Sequence, residues 1–174
     1  AVRDGDEFIV LREHISVVDF VQRFSRTDMI LLDWHLFGPN GHHDNPPGLV
    51  TRALTRRQRM PARMTKSITR VDAIGRINTP HLCRLKRWRL WARTVDANGR
   101  DYRPEPYPGK TDVAHINHYL CRSYVSWMAR LERGAGSFAR PVTHEKHVWR
   151  FDRTLLEAKF HRIVATMHEV EDTW

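Results

Sequence analysis

Only two of the 174 residues are cysteine, Cys83 and Cys121, and they do not form a C-x-x-C pair. Two such thiols build neither a disulfide framework nor a zinc ribbon. Both are therefore expected reduced, in a cytoplasmic protein. Long apolar runs are missing as well. Stretches such as Met29-Ile30-Leu31-Leu32 are far shorter than the ~20 residues a bilayer-spanning helix needs. No secretory pattern opens the chain, and it starts at Ala1 without Met, so Ala1 reads as an internal or processed start. There is neither an internal repeat nor a low-complexity tract. Acidic residues are scarce in one place: residues 45–71 contain none, whereas Arg52, Arg56, Arg57, Arg59, Arg63, Lys66 and Arg70 all fall there. The formal charge of +9 points to an anionic partner, whether a diphosphate, a lipid surface or nucleic acid; a solvated basic face is the plainer alternative. Hydrophobic residues make up 41%, enough for a packed core and too many for a disordered chain.

The pattern along the chain mixes strands and helices. Residues 8–11 and 29–33 read as short strands. Ser16-Val17-Val18-Asp19 reads as a capping box, opening a helix that carries Phe20, Val21 and Phe24 at helical spacing. Gly38-Pro39-Asn40-Gly41 and Asn45-Pro46-Pro47-Gly48 punctuate a loop. A basic helix is expected over 49–59, a strand over 67–71 and a half-exposed strand over 85–95. That strand ends in the turn signal Asp96-Ala97-Asn98-Gly99. Ile116, Leu120, Tyr124, Trp127, Met128 and Leu131 recur at helical spacing, with Gly134 as the stop. A C-terminal helical tail over about 152–171 has Asp152 as its cap and Leu155, Leu156, Phe160, Ile163, Val164 and Met167 as its apolar stripe. The fold class is α/β or α+β, read as one domain fragment over 1–174.

Five motifs appear in order: Asp4-Gly5-Asp6-Glu7-Phe8, Trp34 to His42, Lys66-Ser67, Asn117-His118-Tyr119 and Arg133-Gly134. This series resembles the glycosyltransferases related to family 2 and family 92, whose members share D-x-D-E-F, W-x-x-F-G-x-x-G-H, K-S, N-H-Y and R-G segments. The resemblance covers roughly residues 4–134. It implies an α/β, Rossmann-like type-A glycosyltransferase fold lacking its N-terminal nucleotide-binding half. Because the D-x-D follows several βα units of ~30 residues each, on the order of a hundred residues would precede Ala1. The implied reaction moves a hexose from a nucleotide diphosphate sugar, UDP-sugar favoured, to a glycan or lipid-linked acceptor.

The chemistry such a reaction needs selects the candidate residues. A leaving diphosphate develops negative charge, which Mn2+ or Mg2+ neutralises through oxygen ligands. Asp4 and Asp6, two apart on an extended segment, present their carboxylates to one side. His118 resembles the late histidine that completes the metal site in this fold, and a neutral imidazole suits manganese better than magnesium. Asp112, His115 and His118 form an alternative metal set. Lys66 is a candidate for the diphosphate. Deprotonating the acceptor hydroxyl takes a carboxylate base, for which Asp44 in the loop is preferred to Asp33. Trp34, Phe37, Gly38 and His42 would shape the sugar or acceptor pocket. One departure from the family pattern is Thr51-Arg52, where members often carry a Glu.

Two other readings compete. Residues 52–70 and the Arg/Trp alternation at 87–91 are those a nucleic-acid-binding module would use, but no helix-turn-helix, finger or aromatic sheet signature accompanies them. A non-catalytic remnant of the transferase is the other. Peripheral contact with an anionic membrane is compatible with the transferase reading.

Overall fold

The computed structural model describes residues 5–13, 15–79, 81–86, 88, 91–102, 111–133 and 153–173. Asp4, Asp152 and Gly134, each given a role above, lie outside the described residues. In chain order the elements are β1 (Glu7–Leu11), α1 (Val17–Gln22), β2 (Met29–Leu36), α2 (Val50–Ala53), β3 (Arg56–Arg57), β4 (Ala62–Thr69), a 3-10 turn (Val71–Ala73), β5 (Ile74–Ile77), β6 (Cys83–Leu85), β7 (Thr94–Asp96), β8 (Ala114–His118), α3 (Tyr124–Arg133), α4 (Arg153–Thr166) and β9 (Val170–Glu171). They divide between two compact units, Ala1–His35 with Met60–His118, and Leu36–Arg59 with Tyr119–Trp174.

The first unit is built on a mixed sheet, which makes the chain an α/β protein. Strand order is β1-β8-β2-β4, with β7 also paired to β2. The β1/β8 and β2/β4 ladders are antiparallel, and β7 runs parallel to β2. The run Met29 to Leu32 is buried throughout, as a central strand covered on both faces requires. Each large side chain so buried contributes about 1.5–3 kcal/mol. The α1 cap forms as its sequence indicates: Ser16 Oγ accepts from the Asp19 amide at 3.1 Å, satisfying one orphan donor of the first turn. Phe20 turns inward and meets Phe24 edge-to-face at 5.1 Å. The turn at 96–99 also forms. Gly99 takes a φ of 82°, and Asp96 Oδ1 accepts from the Asn98 and Arg100 amides.

Residues 116–118 depart from expectation. They belong to β8, whose five residues are all buried, and the helix starts only at Tyr124. A strand covered on both faces shows no alternation, so its apolar positions ran on into the helical stripe behind it. The basic helix expected over 49–59 shrinks to α2 and the two-residue β3. The strand expected over 85–95 is also replaced. Leu85 closes β6, Thr94 opens β7, and Trp88 and Trp91 occupy turns between them.

In the second unit α3 and α4 enclose Cys121, Trp127, Phe160 and Met167, with Tyr124, Met128, Ile163 and Val164 packed around them. The described part of the α4 stripe thus turns inward as its spacing indicates. Ser123 caps α3, its Oγ accepting from the Ser126 amide at 3.0 Å. The β3/β9 pair ties the chain end down, with the Arg57 guanidinium donating to Asp172. Both cysteines are free thiols. Among the described residues no helix is long and apolar enough to cross a membrane.

Candidate functional site

Antiparallel pairing of β1 with β8 sets Glu7 opposite His118, and so brings the D-x-D-E-F segment beside the N-H-Y segment. Asp6 Oδ2 lies 3.6 Å from His118 Nε2. The imidazole is buried and the carboxylate one-fifth exposed, so the pair sits where solvent meets the sheet. Trp34 on β2 packs edge-on against the His118 ring, centroids 4.4 Å apart, and His81 lies 5.2 Å from the same indole. Among the described residues His118 Nδ1 and Trp34 Nε1 are buried without a hydrogen-bond partner. Buried polar atoms are rarely left so. Among the described residues no group of three or more His, Cys, Asp or Glu side chains is gathered to hold a metal. Asp6 and His118 supply one oxygen and one nitrogen donor.

Beneath this pair lies an ion pair that sequence reasoning did not anticipate. Lys66 Nζ sits 3.1 Å from Glu7 Oε2, and both side chains are at least 98% buried. The same ammonium lies 6.0 Å from the Trp34 ring centroid. Lys66 is therefore a brace between β1 and β4, not a surface cation waiting for a diphosphate. The two motifs that hold this pair, D-x-D-E-F and K-S, are 59 residues apart in the chain (positions 7 and 66). Only the sheet topology relates them.

The opposite face of the sheet carries a separate polar group. His35 and His115 meet edge-to-face at 4.7 Å. The His35 ring is within 3.1 Å of the Thr111 hydroxyl, and His115 Nδ1–H donates to the Thr111 carbonyl at 3.0 Å. Three positions apart on a strand, His115 and His118 point to opposite faces. The alternative metal set is thereby excluded, and Asp112 instead accepts from Asn98 Nδ2 at 3.4 Å. Asn117 is fully buried on the His115 face, and neither polar atom of its carboxamide has a hydrogen-bond partner among the described residues. Asp33 precedes Trp34 in β2, at an irregularity in the β2/β4 ladder. Burial, and secondarily the Asp33 charge, pushes the Tyr102 phenol above its ordinary range.

In the second unit the expected sugar-pocket residues separate. Phe37 is fully buried against Tyr119, rings 4.7 Å apart, and belongs to the core. Gly38 is a packing glycine: a Cβ there would stand 2.7 Å from Met167 Cβ and 2.9 Å from the His168 ring. His42, by contrast, lines an open pocket of about 510 Å³ with His43, Tyr124, Glu157, Phe160 and His161. His43 stacks on Tyr124 at 5.0 Å, and the Tyr124 hydroxyl donates to Glu157 at 2.6 Å. Asp44 projects into solvent, 83% exposed, with its carboxylate 3.3 Å from His43 Nδ1. Carbonyls of His42 and His43 accept the amides of Tyr124 and Val125, which holds this loop on the first turn of α3.

The basic stretch is partly neutralised from elsewhere in the chain. Arg57 pairs with Asp172, Lys66 with Glu7 and Arg70 with Asp72. No protein-family model matches the chain, and a search of curated proteins finds no match.

Proposed function

We propose that this chain is the metal- and acceptor-side part of a metal-dependent glycosyltransferase with a Rossmann-like type-A fold. The reaction is transfer of a hexose from a nucleotide diphosphate sugar, UDP-sugar favoured, to a glycan or lipid-linked acceptor. One observation carries this reading: Asp6 and His118, assigned to one metal site from motifs far apart in sequence, lie 3.6 Å apart. Asp4 is the remaining proposed ligand. A bound Mn2+ or Mg2+ supplies charge neutralisation to the leaving diphosphate.

The chain's own groups take the other roles. Glu7 and Lys66, locked together in the sheet, hold β1 and with it Asp6 in register. Trp34 fixes the ring plane of His118. As base for the acceptor hydroxyl's proton, Asp44 is proposed from its loop position in the sequence alone. It is preferred for that loop position to Asp33, which lies within β2. The pocket beside His42 offers aromatic faces at Tyr124 and Phe160 and a carboxylate at Glu157. Such a lining suits the apolar face and hydroxyls of a pyranose.

The test is UDP release from a panel of UDP-hexoses, made with the longest natural polypeptide containing residues 1–174. Manganese-dependent turnover should fall in Asp6→Asn by more than the ~10–100-fold that loss of an outer-shell partner costs. Turnover that survives chelation of all divalent metal, or is untouched in Asp6→Asn, would overturn the assignment.

A further inference from the structure

Between Val71 and Arg93 stand several exposed side chains that the proposed reaction does not use. In the ribbon β5/β6, Arg76 stands directly opposite Arg84. Like charges facing each other across a ribbon destabilise it. Both guanidiniums are exposed, and among the described residues neither pairs with a carboxylate. Relief within the segment is scarce, because residues 71–93 hold six basic side chains, Arg76, Arg84, Lys86, Arg87, Arg89 and Arg93, and one acid, Asp72. Asp72 is already engaged by Arg70 at 3.3 Å.

The same segment exposes large apolar side chains. Val71 is 84% exposed, Ile77 58%, Trp88 69% and Trp91 93%. Lys86 Nζ lies 5.6 Å from the Trp88 ring centroid, so cation and indole share one location. Aliphatic side chains, tryptophans and unneutralised arginines together match a bilayer interface. Indoles settle at headgroup depth, aliphatics reach the acyl boundary, and guanidiniums meet lipid phosphates. A nucleic acid would use the arginines and indoles but gain nothing from Val71 or Ile77.

At Gly75 the β6 backbone approaches so closely that a Cβ would stand 3.1 Å from the Arg84 carbonyl oxygen, and the Lys86 amide donates back to Ala73 at 3.0 Å. We propose that the exposed residues Val71, Arg76, Ile77, Arg84, Trp88 and Trp91 form a docking surface for anionic phospholipid headgroups. This inference does not depend on the reaction proposed above.

Co-sedimentation of the full chain with phosphatidylcholine vesicles, with and without one-quarter phosphatidylglycerol, tests it. Binding is expected only with the anionic lipid. A basic residue near such a surface is worth about fivefold in partitioning, so Arg76→Ser/Arg84→Ser should lower binding roughly 30-fold. Trp91→Ala should weaken binding too and abolish part of the emission quenching by brominated lipid. Should the arginine double variant fail to fold, Trp91→Ala at its exposed position carries the test alone. Equal binding to neutral vesicles, wild-type binding in the variants, no vesicle binding, or tighter binding to a single-stranded oligonucleotide would each overturn the proposal.

Discussion

Removing one member of the buried Glu7–Lys66 pair should be among the costliest single changes in this protein. The charges are 3.1 Å apart and almost completely buried. At an effective dielectric of ~20 their attraction is about 5 kcal/mol, set against the cost of taking both from water. Lys66→Met removes the ammonium 3.1 Å from the Glu7 carboxylate, and Glu7→Leu removes that carboxylate from Lys66. Each should destabilise by about 3–5 kcal/mol, whereas Glu7→Leu/Lys66→Met together should cost much less than their sum. For a chain of this length, 3 kcal/mol corresponds to a fall in melting temperature of roughly 6–12 °C. Urea unfolding of wild type, both single variants and the double variant closes the cycle. Single variants within about 1 kcal/mol of wild type, or a double variant as unstable as the two losses added, would refute the brace.

Three further outcomes follow from the packing. Burial pushes the Cys121 thiol up to about 12, with Arg130 only partly opposing it, so iodoacetamide at pH 8 should label Cys121 only after unfolding; labelling in the native protein as fast as Cys83 would contradict this. Burial, and then the Arg56 charge, holds His168 below its ordinary range, and its Nε2 accepts the Asn40 amide at 3.0 Å. Because the folded value is the lower one, the unfolded chain takes up this proton first as pH falls. His168's contribution is therefore complete above about pH 6.5 and declines as pH drops below it. His168→Phe should flatten that part of the stability–pH curve, and an unchanged slope would dismiss the assignment. Gly38→Ala should cost about 1–3 kcal/mol by overpacking against Met167 and His168, measured by urea midpoint; a neutral effect would show that α4 yields freely.

Much of the local structure was legible from the sequence because its causes are local. The Ser16 cap, the 96–99 turn, the buried run from Met29 to Leu32 and the described α4 stripe each depend on a few adjacent side chains. What could not be read depends on pairing. His118 sits in a strand because β1 and β2 flank it on both sides, and the helical spacing of Ile116 and Leu120 gave no warning of those neighbours. Phe37 and Gly38 look like pocket residues in a glycine-rich motif, yet Tyr119 and Met167 cover them from the far end of the chain. Lys66 is similar: a lysine in a basic stretch suggests phosphate until β1 brings Glu7 to it. The Asp6–His118 juxtaposition was anticipated from motif order alone, through a resemblance and not through composition or periodicity.

Melting of the longest natural polypeptide containing residues 1–174, with UDP and Mn2+ together and separately, tests the proposed donor site most directly. At a hundredfold excess over the dissociation constant, binding adds about 2.7 kcal/mol, a rise of roughly 5–10 °C. The rise should require both components and vanish in Asp6→Asn and in His118→Ala. A melting temperature indifferent to UDP with Mn2+, or a rise that both variants retain, would contradict it.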